Sequence, residues 1–115
     1  MAKRKLKHFA ENLTFPHFFQ PTTDELISGY YLKGNWRKLF FKNENPIILE
    51  IGCGKGEYTV GLAQHNANKN YIGIDIKGAR MWNGASKALK EKLNNTAFLR
   101  TKADLLNYSF DKDEI

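Results

Sequence analysis

The sequence predicts an α/β fold with a doubly wound parallel sheet, of which this chain supplies the first three strands. Three apolar segments with strand composition, residues 47–51, 71–74 and 96–99, alternate along the chain with segments of helical composition. Such alternation favours parallel strands joined by right-handed crossovers. At 115 residues and 42% hydrophobic content, the chain has the length and composition of one packed domain. We therefore expect a partial Rossmann-like sheet.

The first 45 residues are expected to form a basic, aromatic arm with a lead-in helix, and residues 46–115 the α/β core. Pro16 and Pro21 favour an extended or irregular chain over residues 1–20. A short helix is then expected over residues 24–31, capped by Thr22 or Thr23. The arm opens with a run of cations, Lys3, Arg4, Lys5 and Lys7.

Residues 47–64 predict a strand, a glycine turn and a helix in succession. The first apolar segment is β-branched and almost continuous, which is typical of a strand buried on both faces. Gly52, Gly54 and Gly56 follow at alternate positions, and helical composition begins at Glu57. In an open α/β sheet, such a turn lies where ligands bind.

The second strand ends on Asp75, after which residues 79–93 predict a helix and residues 96–99 the third strand. Asp75 and the glycine turn should therefore meet at the carboxyl edge of the sheet, where a carboxylate can accept the hydroxyls of a ribose.

The glycine pattern favours one nucleotide cofactor over another. A dinucleotide fingerprint needs a glycine three positions after its second glycine, but Glu57 occupies that position. Glu50 would repel a pyrophosphate, yet it would attract the cationic amino-acid end of S-adenosylmethionine. With Asp75 placed for the ribose, we predict S-adenosylmethionine as the cofactor. A nicotinamide-dependent oxidoreductase remains the less favoured enzyme class.

Charge and cysteine content indicate the partner and the compartment. The chain carries 18 Lys and Arg against 12 Asp and Glu, a net charge of +6. This excess favours an anionic partner, with nucleic acid ahead of a membrane. A single cysteine, Cys53, excludes an internal disulfide and fits a reducing compartment. No apolar stretch has the length of a membrane span. We expect a cytoplasmic protein with no membrane partner.

Three stretches, "KRKLKHFAENLTFPHFFQP", "LEIGCGKGEYT" and "NYIGIDIKGARMW", resemble the bacterial tRNA (guanine-N7-)-methyltransferase family. The resemblance runs from about residue 3 to the end of the chain and corresponds to the N-terminal half of such an enzyme. It implies the class I methyltransferase fold and methylation of N7 of a guanine in the variable loop of tRNA.

The resemblance also assigns site residues. It implies that Glu50 and Asp75 bind the cofactor with the glycine turn, and that Lys102 occupies the third contact position. Lys102 departs from the Asp or Asn that many members have there, and Asp104 is the alternative. The arm cations would contact tRNA; the alternative is a solvated, frayed terminus.

No catalytic residue and no metal site are expected in this chain, because methyl transfer to a guanine nitrogen needs mainly alignment. The family's guanine pocket and F-x-D-P motif lie beyond the sequence given, so we expect the chain to be inactive by itself. A non-catalytic RNA-binding module is the alternative function. The three histidines are expected at the surface or in loops, and Cys53 is expected to be structural. Arg80 and Trp82 are expected to border the cofactor or the substrate. For Trp82, the alternative is that its side chain packs on the core.

Overall fold

In the computed structural model, which describes residues 2–115 and the side chains from Arg4 onward, four parallel strands form one sheet. The strands are β1 (Phe18–Phe19), β2 (Ile47–Ile51), β3 (Asn70–Asp75) and β4 (Thr96–Arg100), in the spatial order β1-β4-β3-β2. The helices are α1 (Ala2–Asn12), α2 (Thr23–Ile27), α3 (Glu57–His65), α4 (Gly78–Lys90) and α5 (Leu106–Ser109).

The three predicted strands and the two helices between them are confirmed. In the register of the sheet, Ile51 pairs with Ile74, and Ile74 pairs with Leu99. β3 is buried over its whole length except at Asp75. Parallel strands align their carboxyl ends, so the residues that follow β2, β3 and β4 meet at one edge of the sheet.

The prediction that residues 47–51 are buried on both faces was wrong. β2 has β3 as its neighbour and is the last strand of the sheet in the described part of the chain. Only Ile47 is fully buried, and the side chain of Ile51 is 58% exposed. A continuous apolar run marks a strand, but the run cannot show how much of the sheet will cover it.

The extended arm predicted for residues 1–20 was also wrong at its start, because residues 2–12 form α1. Lys5, Phe9 and Asn12 recur at the spacing of one helical face, and α1 packs against α4. The Asn12 side chain is buried and donates a 2.8 Å hydrogen bond to the Gly78 carbonyl. Pro16, which would break a helix, lies beyond the end of α1 at Asn12 and therefore does not interrupt this helix.

The aromatic part of the arm adds an edge strand that the sequence did not predict. Phe18 and Phe19 pair with Phe98 and Leu99 of β4. Phe18 is 7% exposed and packs in the core. Two prolines flank this two-residue strand, which is the kind of position where proline is tolerated in a sheet.

The lead-in helix begins where predicted and ends early. The Thr22 side chain accepts a hydrogen bond from the Glu25 amide, and the Glu25 carboxylate accepts one from the Thr22 amide. This capping box confirms Thr22 as the cap. The helix stops at Ile27, and Gly29 follows with φ of 119°. A π-helical segment over Trp36–Phe41 then leads to β2.

The two faces of the sheet bury separate apolar clusters. Ile72, Ile74 and Leu99 pack with Trp36 on one face, while Phe98 packs on the other face with helical residues such as Met81. Each cluster contains residues from the predicted arm (1–45) and from the predicted α/β core (46–115). Within the described chain, no helix combines the length and the apolarity that a membrane span requires.

Candidate functional site

The candidate site is a small cavity at the carboxyl ends of β2, β3 and β4. Its volume is about 150 Å³, and it joins the glycine turn to the loops after β3 and β4. It is lined by Ile51, Gly52, Ile74, Asp75, Ile76, Thr101 and Ala103. The topology therefore brings together two of the predicted site residues, Gly52 and Asp75.

Asp75 is held by backbone amides on both of its carboxylate oxygens. Oδ2 accepts from the Gly54 amide at 2.9 Å, and Oδ1 accepts from the amides of Ile76 and Lys77 at 2.7 and 3.2 Å. Burial would raise the pKa of Asp75, but these three donors and the nearby charge of Arg80 outweigh it and lower the pKa. The carboxylate is thus ionised at neutral pH and rigidly oriented at the edge of the cavity.

Two glycines of the turn have the same backbone conformation and different surroundings. Gly52 has φ of 76° and Gly56 has φ of 74°, a region that disfavours any side chain. A Cβ at Gly52 would meet nothing within 4 Å, whereas at Gly56 it would lie 2.6 Å from Cε1 of Phe98. Gly52 therefore leaves open space beside the cavity, and Gly56 allows α3 to pack on the sheet.

The amides of the three glycines are all engaged within the protein. Gly52 donates to the Ile74 carbonyl at 2.7 Å, and Gly56 donates to the Cys53 carbonyl at 2.9 Å. The Gly54 amide is bound to Asp75. A pyrophosphate site presents free amides at a helix N-terminus, so the turn lacks the donors that a dinucleotide needs.

Glu50 precedes the turn and is fixed by a residue that the sequence analysis did not identify. The Thr59 hydroxyl, buried on α3, donates a 2.5 Å hydrogen bond to Oε1 of Glu50. This contact ties the carboxylate to the first turn of the helix. Thr59 could have been selected from the sequence, because it is a polar residue on the face of a predicted helix that is expected to be buried.

Lys102 lies beside a neighbouring cavity of about 270 Å³, and Ile76 and Thr101 line both cavities. The Lys102 side chain is exposed, and so is Asp104 in the 3-10 turn that follows. Thr101 is 7% exposed, and its hydroxyl has no hydrogen-bond partner. A buried hydroxyl that borders two cavities is a candidate ligand contact, and no sequence pattern indicated it.

Comparison with known proteins identifies the family. The model of a family described as "Putative methyltransferase" matches residues 44–115, which include the turn, Asp75 and the residues after β4. The chain belongs to this methyltransferase family.

Curated relatives support the same placement. The chain is 54% identical over 115 residues to a tRNA (guanine-N(7)-)-methyltransferase of Christiangramia forsetii, with 99% of this chain and 51% of the relative aligned. It is 47% identical to a protein of the same name from Bacteroides fragilis, over 100% of this chain and 46% of the relative. The chain spans about half the length of these relatives. Membership of the family implies a methyl donor as the cofactor.

The arm cations whose side chains the structure describes do not line the cavity at the carboxyl ends of the strands. Arg4, Lys5 and Lys7 are exposed along α1, and the side chain of Lys3 lies outside the described residues. Of these, Lys5 reaches a separate cavity at the start of α4. The contact of these cations with tRNA stays a prediction.

The remaining polar residues have structural roles, with one correction. His17 was expected at the surface, but it is buried at 7% exposure with Nε2 2.8 Å from the Ala85 carbonyl. Burial lowers its pKa more than this bond raises it. Trp82 stacks on His8 with ring centroids 3.8 Å apart and packs against the core.

Cys53 is half-buried inside the turn. Burial raises its pKa to about 12, with further contributions from the charges of Asp75 and Glu50. A thiol with so high a pKa is a poor nucleophile at neutral pH. This agrees with the structural role predicted for it. Among the described residues, no three His, Cys, Asp or Glu side chains form a potential metal site.

Proposed function

We propose that this chain is the cofactor-binding half of an S-adenosylmethionine-dependent tRNA (guanine-N7-)-methyltransferase. The observation that carries the proposal is the pair of fixed carboxylates, Glu50 and Asp75, on either side of a glycine turn with no free glycine amide. Anionic side chains and engaged amides suit a ligand that presents a cationic amino acid and ribose hydroxyls. The names of the curated relatives support the reaction and the substrate.

The residues that line the cavity, together with Glu50, which precedes the lining residue Ile51 and does not itself line the cavity, fit the groups of S-adenosylmethionine. Asp75 would accept the ribose hydroxyls, and Glu50 would attract the ammonium of the amino-acid end. Gly52 leaves the open space that a ligand needs for close approach to the backbone. The unpartnered Thr101 hydroxyl and the exposed apolar side chain of Ile76 also line the cavity and would be available to contact the adenine. The 150 Å³ cavity is smaller than a typical cofactor site, so the ligand would also occupy the neighbouring cavity beside Lys102.

When bound, S-adenosylmethionine would supply an electrophilic methyl group on a positively charged sulfur. Guanine N7 carries a lone pair and no proton, so its methylation requires no general base. The protein has to align the two reactants and exclude water. This requirement fits a site whose carboxylates, Asp75 and Glu50, would hold the ligand and take no part in proton transfer.

In the proposal, cofactor binding and tRNA contact belong to different parts of the chain. Residues 46–115 hold the cofactor, while residues 1–45 carry the cations that would contact tRNA phosphates. The proposed location is the cytoplasm, where a free cysteine and a tRNA substrate are both expected.

Two other functions fit less well. A nicotinamide-dependent oxidoreductase would need free amides for a pyrophosphate, and those of the glycine turn are occupied. A non-catalytic RNA-binding module would have no reason to keep an ionised, triply hydrogen-bonded Asp75 beside open space.

A chimaera tests the proposal. The chain would replace the matching half of the Christiangramia forsetii relative, and transfer of labelled methyl groups to unmodified tRNA would be followed by nucleoside analysis. We expect 7-methylguanosine from the chimaera and a loss of at least tenfold on Asp75→Ala. The matched control is Asp24→Ala, an exposed carboxylate on α2. A folded chimaera whose activity is unaffected by Asp75→Ala would contradict the proposed role of the cavity.

A further inference from the structure

A third cavity, of about 420 Å³, lies between α1 and the loop that joins β3 to α4. Four cationic residues line it, together with Phe9, Ile76, Gly78 and Ala79, and none of its lining residues is acidic. The four cations are Lys5, Lys77, Arg80 and Arg100. They come from three different elements, so the fold, rather than a run of basic sequence, concentrates the positive charge here.

Phe9 holds two of these cations over its ring. Nζ of Lys5 is 5.9 Å from the ring centroid, and the guanidinium carbon of Arg100 is 6.0 Å from it. Both distances are within or at the limit of a cation–π contact. Nε of Arg100 also donates a 2.9 Å hydrogen bond to the Ile76 carbonyl, which fixes its position beside the cavity.

The N-terminus of α4 opens into the same cavity. The helix has 13 residues, no acidic residue in its first turn and no side-chain hydrogen bond at its N-cap, Lys77. The amides of Arg80 and Met81 bind the Lys77 carbonyl, and Gly78 and Ala79 precede them in the cavity wall. An uncapped helix start adds partial positive charge where the cations converge.

We propose that this basic cavity binds a backbone phosphate of the RNA substrate. The inference rests on the proposed function for the identity of the ligand as RNA. Arg80 connects the two sites: its charge acts on Asp75, and its Nη2 lies 3.6 Å from where a Cβ of Gly54 would be. A phosphate held here would place the RNA strand directly beside the cofactor cavity. The concave shape suits a phosphate and its ribose better than a lipid surface.

Charge-removing variants of the full chain provide the test. Lys5→Gln and Lys77→Gln together remove two exposed cations of the cavity, and neither side chain lies in the core. The matched control is Lys87→Gln with Lys90→Gln, two exposed cations at the other end of α4. Lys87 is ten residues from Lys77, or about 15 Å along the helix. Both double variants have the same net charge.

Binding of a fluorescein-labelled, unmodified tRNA transcript would be followed by anisotropy between 50 and 200 mM salt. Each phosphate contact adds roughly 0.7 to 0.9 to the slope of log affinity against log salt concentration. We expect the cavity variant to bind about tenfold more weakly at 100 mM salt and to lose about 0.8 from this slope, the contribution of one phosphate. The control variant should change affinity less than threefold. Circular dichroism would verify that both variants fold.

Equal effects of the two double variants would overturn the inference, because they would show a response to net charge alone. The inference would also be overturned if inorganic pyrophosphate bound in this cavity while the cavity variant bound tRNA as tightly as the unmodified chain. Titration of both variants with S-adenosylmethionine separates the two proposals. If the cavity variant binds tRNA more weakly than the control variant does, and the chain binds no S-adenosylmethionine, the phosphate site is supported and the proposed cofactor is contradicted.

Discussion

Replacing Gly56 and Gly52 separately by alanine distinguishes packing from backbone strain in the glycine turn. Both residues have φ near 75°, so an alanine at either position carries a similar conformational penalty, about 1 to 2 kcal/mol. At Gly56 the new Cβ would also lie 2.6 Å from Cε1 of Phe98 and 3.2 Å from Cα of Gly84. Phe98 is fully buried, so its ring can shift only by displacing the core residues around it. Overpacking of this kind adds about 1 to 3 kcal/mol.

We therefore expect Gly56→Ala to lower the free energy of unfolding by about 2 to 5 kcal/mol and Gly52→Ala by about 1 to 2 kcal/mol. Urea denaturation followed by circular dichroism measures both values under the same conditions. The binding of S-adenosylmethionine should show the reverse order, because Gly52 lines the cavity and Gly56 does not. Equal stability losses would refute the reasoning, since they would show that contact with Phe98 adds nothing.

Four further predictions concern the cavity and the sheet edge. Asp75→Ala should weaken S-adenosylmethionine binding by about 1.5 to 3 kcal/mol, the scale of a hydrogen bond to a charged group, as measured by calorimetry. Gly54→Val should abolish this binding because φ of 56° disfavours a branched side chain and Arg80 borders the position; normal affinity would leave the turn a purely structural role. The lowered pKa of Asp75 stabilises the fold above the unfolded pKa near 4, so the stability advantage of the native chain over Asp75→Asn should shrink as the pH falls from 5 to 3 in urea titrations. The chain should associate through the open edge of β2, with light scattering showing more association than for an Ile51→Pro variant that remains folded, because the Ile51 amide faces the open edge and not β3.

The sequence predicted the central sheet because its signals were local. The apolar segments, the glycine turn and the position of Asp75 each depend on residues that are close together in the chain. The Thr22 cap was predictable for the same reason, since a capping box is complete within four residues.

The errors arose where tertiary contacts decide the structure. α1 has few local signals of stability, and it packs against α4, which is about 70 residues further along the chain. The pairing of β1 with β4 is equally distant. The burial of His17 against the Ala85 carbonyl could not be predicted from either segment alone.

The candidate site shows the same limit. The positions of Glu50 and Asp75 near strand ends were predictable, and their role in the site stays a prediction, but the Thr59 and Thr101 hydroxyls acquire their positions only when the sheet is assembled. The basic cavity was hidden for a similar reason. Lys5, Lys77 and Arg100 are far apart in sequence, and only one of them belongs to the basic run of the arm.

Titration of the 15N-labelled chain with S-adenosylmethionine, followed by amide NMR, tests the central claim most directly. The chain of 13.2 kDa is well suited to this measurement, which detects weak as well as tight binding. We predict saturable shifts at the amides of Gly52, Gly54, Ile76 and Thr101, and their loss in the Asp75→Ala variant. Shifts produced by NAD+ at these amides, with none produced by S-adenosylmethionine at millimolar concentration, would contradict the account.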